Sequence, residues 1–108
     1  MKTSQQLQHY LITLQQTLQH HALWESVVPD SRAFESSEPF FIDTMSPLQW
    51  LQWVFLPRMQ SLLDAQQPLP EKLAIAPYYE MALEEGLPGR EVLLVLLNDI
   101  DALFGGNE

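Results

Sequence analysis

The chain has no cysteine, few basic residues and no long apolar segment. The absence of cysteine excludes a disulfide scaffold, thiolate metal sites and cysteine nucleophiles. The longest unbroken apolar run, Val92–Leu97, is six residues long and therefore far too short to span a membrane. The first ten residues contain no apolar run that would suit a signal peptide. These absences predict a cytoplasmic protein that has no membrane partner.

Five Lys and Arg residues stand against fourteen Asp and Glu residues, which gives a formal net charge of −9. The five cations are scattered, whereas binding to a phosphate backbone requires clustered Lys and Arg. We therefore expect no direct nucleic-acid partner. Between Glu80 and Glu108, seven acidic residues accompany a single basic residue, Arg90. This stretch either docks a basic protein partner or forms a solvated face that aids solubility.

The common catalytic and nucleotide-binding motifs are also missing. There is no phosphate-binding loop, no dinucleotide fingerprint and no nucleophile elbow. No two of the three histidines are four residues apart, so no pair can share a metal on one helix face. Asp99 and Asp101 are two residues apart and diverge on a helix, so they do not form an acid/base pair. The sequence thus predicts no catalytic residue, no metal site and no cofactor, and a non-enzymatic protein is favoured.

What the sequence does contain is helical periodicity. A length of 108 residues suits one domain with one core, and apolar residues recur at helical spacing in four segments. We predict an all-α fold for the single domain 1–108, a small four-helix bundle with a long packed loop between its first two helices. The predicted helices span about residues 4–22, 47–66, 77–85 and 90–104. Gly86 is the expected stop of the third helix, and Gly105-Gly106 that of the fourth.

The second predicted helix is the central one. Ser46 is a good N-cap, Pro47 suits the first helical position, and Gln49 completes a capping box. Pro57 lacks the N–H that would bond to the carbonyl of Trp53, so we expect a kink there. On a helical wheel, one side forms a core face. That core face comprises Leu48, Leu51, Phe55, Met59 and Leu62.

The opposite side of this helix is apolar in its first half as well. Trp50, Trp53 and Val54 lie there, and a helix that is apolar all round is normally buried all round. One interpretation is that Phe34, Phe40 and Phe41 from the preceding loop cover this side. The other is that part of it stays open and receives a partner or ligand. The candidate binding surface comprises Trp50, Trp53, Val54, Phe40 and Phe41.

The long connection between the first two helices contains two prolines and several serines, which indicate turns. Its aromatic residues indicate that it is packed. Residues 40–42 have some strand character, but no second strand is evident to pair with them.

A second candidate site is polar. Arg58 is the only cation of the central helix, and its expected partner is Asp43 or Glu80, unless it serves as an anion site. Tyr78 and Tyr79 are adjacent, so one should be core and the other exposed or at a pocket rim. The candidate polar cluster comprises Asp43, Arg58, Tyr78, Tyr79 and Glu80.

Three segments together resemble the YqcC-like family of small bacterial proteins. They are PFFIDTM (Pro39–Met45), LQWLQWVFLPRM (Leu48–Met59) and IAPYYEMAL (Ile75–Leu83). The resemblance covers nearly the whole chain and implies an all-helical bundle. It implies no activity, because the family has no assigned catalytic residues. Family members are often encoded beside a tRNA pseudouridine synthase, so the resemblance implies association with such an enzyme. It does not imply catalysis, since these synthases are much larger and use an aspartate on a mixed α/β scaffold.

Three functions therefore compete. The first is a non-catalytic accessory or protein-interaction domain, associated with a tRNA pseudouridine synthase. The second is a small-molecule-binding protein or minor enzyme whose pocket lies near Asp43, Arg58, Tyr79 and Glu80. The third is a homo-oligomer that uses either Trp50 and Trp53 or Leu94 and Val95 as its contact.

Overall fold

The computed structural model describes residues 3–105, and over that range it contains helices and turns but no strand. Helix α2 consists of three successive segments, Pro47–Trp50, Leu51–Phe55 and Leu56–Asp64, of which the middle one is π-helical. The other helices are α1 (Thr3–His20), α3 (Ala76–Ala82) and α4 (Arg90–Gly105). The predicted all-α, four-helix fold is confirmed. Gly106 and Glu108, which entered the predictions above, lie outside the described residues.

Helix α1 forms the centre of the bundle, because it packs against both α4 and the last segment of α2. Its leucine stripe is buried as the spacing predicts, with Leu7, Leu14 and Leu18 fully enclosed. The helix ends two residues earlier than predicted. Ala22 adopts a left-handed conformation (φ 60°), and the Leu23 N–H donates to the carbonyl of Leu18 at 2.8 Å, which closes the last turn.

The start of α2 follows the prediction closely. The Ser46 hydroxyl accepts from the Gln49 N–H, and the Gln49 side chain accepts from the Ser46 N–H, so both halves of the capping box are present. The sequence predicts a kink at Pro57, and the structure has a π-helical turn immediately before it. There the Leu56 N–H donates to the carbonyl of Leu51, five residues earlier. The helix ends at Asp64 rather than at Gln66, which is left-handed (φ 55°).

The long connection between α1 and α2 is packed, as predicted, and contains two short 3₁₀ turns, Ser31–Glu35 and Pro39–Phe41. The strand character suggested for residues 40–42 is not realised. Phe40 and Phe41 instead have consecutive positive φ values of 58° and 48°, a conformation that bulky side chains rarely adopt. Phe40 packs against the core, whereas Phe41 borders a groove on the surface.

Helix α3 is held by side chains from α4 at both ends. The Asp101 carboxylate accepts from the Ile75 N–H at 3.0 Å and from the Ala76 N–H at 2.8 Å, so it caps the N-terminus of α3 from another helix. Burial raises the pKa of the Asp101 carboxyl, and the two backbone hydrogen bonds offset only part of that rise. Arg90 donates to the carbonyls of Leu83 and Glu80 at the other end.

The predicted stop of α3 at Gly86 is wrong. The helix ends at Ala82, because the backbone at Leu83 is extended (ψ 133°) and Arg90 satisfies the free carbonyls. Gly89 has a positive φ, 81°, and a Cβ there would come within 2.6 Å of the His21 ring.

Helix α4 buries one apolar stripe and leaves part of a second exposed. Leu93, Leu97 and Ile100 are fully buried. The sequence places Leu94 and Val95 outside this stripe, but only Val95 is exposed, because Leu94 is half-buried against the core.

The cap from Asp101 generates a stability prediction. Asp101→Asn replaces one accepting oxygen by an NH₂ group, which cannot accept from both backbone N–H groups. We expect it to lower the free energy of unfolding by about 1–2 kcal/mol in urea titrations at neutral pH.

Asp99→Asn is the matched control, since it removes the same charge from an exposed position on the same helix. Equal losses of stability in the two variants would contradict a capping role for Asp101.

Candidate functional site

A buried glutamine attaches the long connection to α2. Gln52 is only 4% exposed, and its side-chain amide pairs with the backbone of Glu25 in both directions. The amide nitrogen donates to the Glu25 carbonyl at 2.7 Å, and the amide oxygen accepts from the Glu25 N–H at 2.8 Å. This pairing satisfies two backbone groups in a segment that has no regular secondary structure. The expectations from sequence do not include this pairing, although Gln52, one of two glutamines in the otherwise apolar run LQWLQWVFL, is a signal for it.

The Glu25 carboxylate makes a second attachment to the same helix. It accepts from the indole N–H of Trp53 at 3.3 Å and from the side-chain amide of Gln49 at 3.3 Å. The Trp53 ring is therefore held at its polar edge, while the ring itself stays half-exposed.

Trp53 and Pro57 are four residues apart and are therefore neighbours on the surface of α2. Both residues line the same two grooves, so together they form a ridge that has a groove on each side. We call it the Trp53 ridge. The first groove has a volume of about 420 Å³. Its other walls include Phe34 and Phe41 from the long connection and Arg58 from α2.

The second groove, of about 330 Å³, lies on the side of the Trp53 ridge that faces α1. Leu11 and Ile12 of α1 line it together with Trp24 of the connection. Trp24 is half-buried here, immediately before the Glu25 attachment point. The ridge is thus an aromatic and proline surface between two apolar walls, which is the kind of shape that receives side chains of a partner.

Of the other members of the candidate binding surface, Phe41 lines the first groove, whereas Phe40, Trp50 and Val54 are partly or fully buried. Phe40 covers Trp50, with ring centroids 5.0 Å apart, and stacks on Tyr78 at 4.2 Å. Val54 is only 5% exposed. The connection thus packs against Trp50, whereas Trp53 borders open grooves.

The candidate polar cluster is dispersed. Arg58 is exposed and, among residues 3–105, makes no ion pair with Asp43 or Glu80. The Asp43 carboxylate instead accepts from the Ser36 hydroxyl, and the backbone carbonyl of Glu80 accepts from Arg90. Of the five predicted members, only Arg58 lines the first groove.

Of the two tyrosines, one is core as predicted, but Tyr78 is neither exposed nor part of the lining of the two grooves. Tyr79 is fully buried, and its hydroxyl donates to the Pro47 carbonyl at 2.6 Å, while Tyr78 is half-buried against Phe40. Burial, with a smaller contribution from neighbouring Tyr78, raises the pKa of the Tyr79 phenol well above its ordinary value. The hydrogen bond to the Pro47 carbonyl attaches Tyr79 to the start of α2.

Within the part of the chain that the structure describes, no group of three His, Cys, Asp or Glu side chains is placed to hold a metal ion. None of the described helices combines the length and apolar character that crossing a bilayer requires. The two grooves beside the Trp53 ridge combine apolar walls with one cation and a few uncharged polar side chains, a lining that suits binding.

Comparisons with known proteins agree on one family. The model of the family DUF446, described as tRNA pseudouridine synthase C, matches residues 6–103. The uncharacterized protein YqcC of Escherichia coli is 48% identical over 104 residues, which cover 96% of this chain and 95% of that protein. An uncharacterized protein of Haemophilus influenzae is 47% identical over 103 residues, covering 95% of this chain and 96% of that protein.

Two further matches concern a solved structure and a longer relative. The solution NMR structure of YqcC from E. coli matches with a TM-score of 0.84 and 46% identity, covering 100% of this chain and 95% of that one. The tRNA pseudouridine synthase C of Pectobacterium carotovorum is 40% identical over 91 residues, which are 84% of this chain but only 23% of that protein.

The pairing between Gln52 and Glu25 generates a second stability prediction. Gln52→Leu keeps the side-chain volume nearly constant but leaves two backbone groups of Glu25 without their partners. We expect a loss of about 1–2 kcal/mol in the free energy of unfolding, with faster hydrogen exchange at the Glu25 amide.

Gln19→Leu, at an exposed position of α1, is the control for the loss of one glutamine amide. Unchanged exchange at Glu25 in the Gln52 variant would show that the pairing does not hold the connection.

Proposed function

This chain belongs to the DUF446 family of YqcC-like proteins, and we propose that it is a non-catalytic accessory protein that binds a tRNA pseudouridine synthase. The match to the P. carotovorum synthase carries the proposal. There, a stretch similar to 84% of this chain occupies less than a quarter of a protein that bears the synthase name. The remaining three quarters leave room for a separate catalytic domain of ordinary size.

Covalent linkage raises the effective concentration of one domain at another and so makes their contact favourable without a tight interface. Where the two domains occur as separate chains, binding must supply the same contact. We infer that the synthase and this chain form a complex that reproduces the arrangement of the longer polypeptide. Such a complex acts in the cytoplasm, where tRNA is modified, and the synthase rather than this acidic chain contacts the tRNA.

The Trp53 ridge supports a binding role. It combines a half-exposed tryptophan, two flanking grooves and Arg58, an exposed arginine for which the described residues offer no ion pair. Trp and Arg are the residue types that most often dominate the energy of protein interfaces. A partner side chain that enters the first groove would bury Trp53 and could place a carboxylate beside Arg58.

The two competing functions have less support. A small-molecule site at Asp43, Arg58, Tyr79 and Glu80 requires convergent polar groups, but only Arg58 lines a groove. A homo-oligomer through Trp50 and Trp53 has a reduced contact surface, because the Phe40 ring packs edge-on against Trp50. One through Leu94 and Val95 would use mainly Val95, because Leu94 is half-buried against the core.

The proposal predicts that the purified chain binds a tRNA pseudouridine synthase C from the same organism in isothermal titration calorimetry. Trp53→Ala should weaken this binding at least about tenfold, because truncation of a central tryptophan commonly costs that much. Ser61→Arg should also weaken binding, because it fills the first groove. It does so without altering the core, since Ser61 is exposed and lines that groove.

Met81→Ala is the matched control, because Met81 is an exposed apolar residue outside both grooves and should leave binding unchanged. Circular dichroism checks that each variant is folded. A synthase that fails to bind the unaltered chain would overturn the proposed function, and binding that survives both groove variants would remove the Trp53 ridge from it.

A further inference from the structure

A third groove, also apolar, lies between α1 and α4, away from the Trp53 ridge. It has a volume of about 350 Å³, and we call it the valine groove. Val92 and Val95, which are 52% and 61% exposed, form its open side. The groove is lined by Thr13, Glu91, Val92, Val95, Leu96 and Asp99.

The valine groove has an acidic rim of defined spacing. Glu91, Val95 and Asp99 are each four residues apart, so they form one row along α4 in which a valine stands between two carboxylates. Eight residues of α-helix span about 12 Å, which is the distance along the axis between the two carboxylate positions. Val92 and Leu96 form the neighbouring row on the same helix, toward α1.

The surrounding helices do not neutralise these two carboxylates. The described part of α1 contains no Lys or Arg, and its titratable side chains are Tyr10 and the imidazoles of His9 and His20. The one cation of α4, Arg90, donates to backbone carbonyls at the end of α3. Among residues 3–105, neither Glu91 nor Asp99 forms an ion pair.

We propose that the valine groove docks a basic amphipathic helix of a partner protein. An apolar ridge of that helix would cover Val92 and Val95, as in other helix-in-groove complexes. Because the carboxylates are eight residues apart on α4, the partner helix needs Lys or Arg residues seven or eight positions apart, with apolar residues three or four positions after the first cation. Charge complementarity then fixes its register.

Charge also excludes the other occupants. A second copy of this chain would bring its own Glu91 and Asp99 against the same rim, and like charges at close range oppose association. An RNA backbone or an anionic membrane would meet the same repulsion. The inference depends neither on the Trp53 ridge nor on the identity of the partner, so it can fail while the proposed function holds.

The test uses the full chain and two synthetic helical peptides of about sixteen residues, a length at which isolated helices begin to be stable. Both peptides carry the same leucines, flanked by two Lys residues seven positions apart in one and by two Glu residues in the other. We expect the Lys peptide to bind at least about tenfold more tightly than the Glu peptide, because opposite charges attract it to the rim. NMR shift changes should centre on the methyl groups of Val92 and Val95.

Two double variants separate the contributions of charge and apolar contact. Glu91→Gln with Asp99→Asn should weaken binding of the Lys peptide about three- to tenfold, as expected for two rim ion pairs, and should remove its salt dependence. Val92→Ser with Val95→Ser should abolish binding but leave the fold intact, since both side chains are exposed.

Glu84→Gln with Glu85→Gln is the matched control, because it removes two carboxylates from exposed positions outside the groove. An equal loss in this control, or equal affinity for the two peptides, would overturn the proposal. So would a dimer of the chain in light scattering that the two serine substitutions dissociate.

Discussion

Pro57 cannot donate a backbone hydrogen bond, and the central helix must accommodate it directly after its most apolar stretch. A π-helical turn over Leu51–Phe55 achieves this directly before the proline. The wider turn brings Leu51, Gln52, Val54 and Phe55 to buried positions within five residues, more than one face of an ordinary α-helix would allow. Trp53 is the one member of the turn that remains half-exposed, and Pro57 lies beside it. The Trp53 ridge therefore lies on the outer side of the π-helical turn that accommodates Pro57.

The parts of the fold that local chemistry determines could be predicted from the sequence. The capping box at Ser46 requires only residues within one turn, and the leucine stripe of α1 requires only helical spacing. The end of α3 could not be predicted in this way. Its free carbonyls are satisfied by Arg90 and its free N–H groups by Asp101, which come from a helix that follows it in the chain. Such caps depend on tertiary packing, so the nearby Gly86 predicts the wrong end for α3.

The candidate sites show the same division. Helical spacing placed Trp53 correctly, but it could not reveal that Phe40 would turn inward over Trp50, because that requires a left-handed backbone at a phenylalanine. The polar cluster was inferred from residues that neighbour the aromatic segments in sequence. In the structure, three of these groups have separate partners: Asp43 bonds to Ser36, Tyr78 stacks on Phe40, and Tyr79 bonds to Pro47. The folded loop determines which backbone N–H and C=O groups need a side-chain partner, and proximity in sequence does not.

The Trp53 ridge and the valine groove have opposite chemistry and meet at α1. Ile12 lines the second groove beside the ridge, while the next residue, Thr13, lines the valine groove. Successive residues of a helix point about 100° apart, so the two surfaces face different directions around α1. A single partner helix can therefore occupy one of them but not both. A partner that engages both must wrap around α1, and it must present a carboxylate to Arg58 on one side and cations to Glu91 and Asp99 on the other.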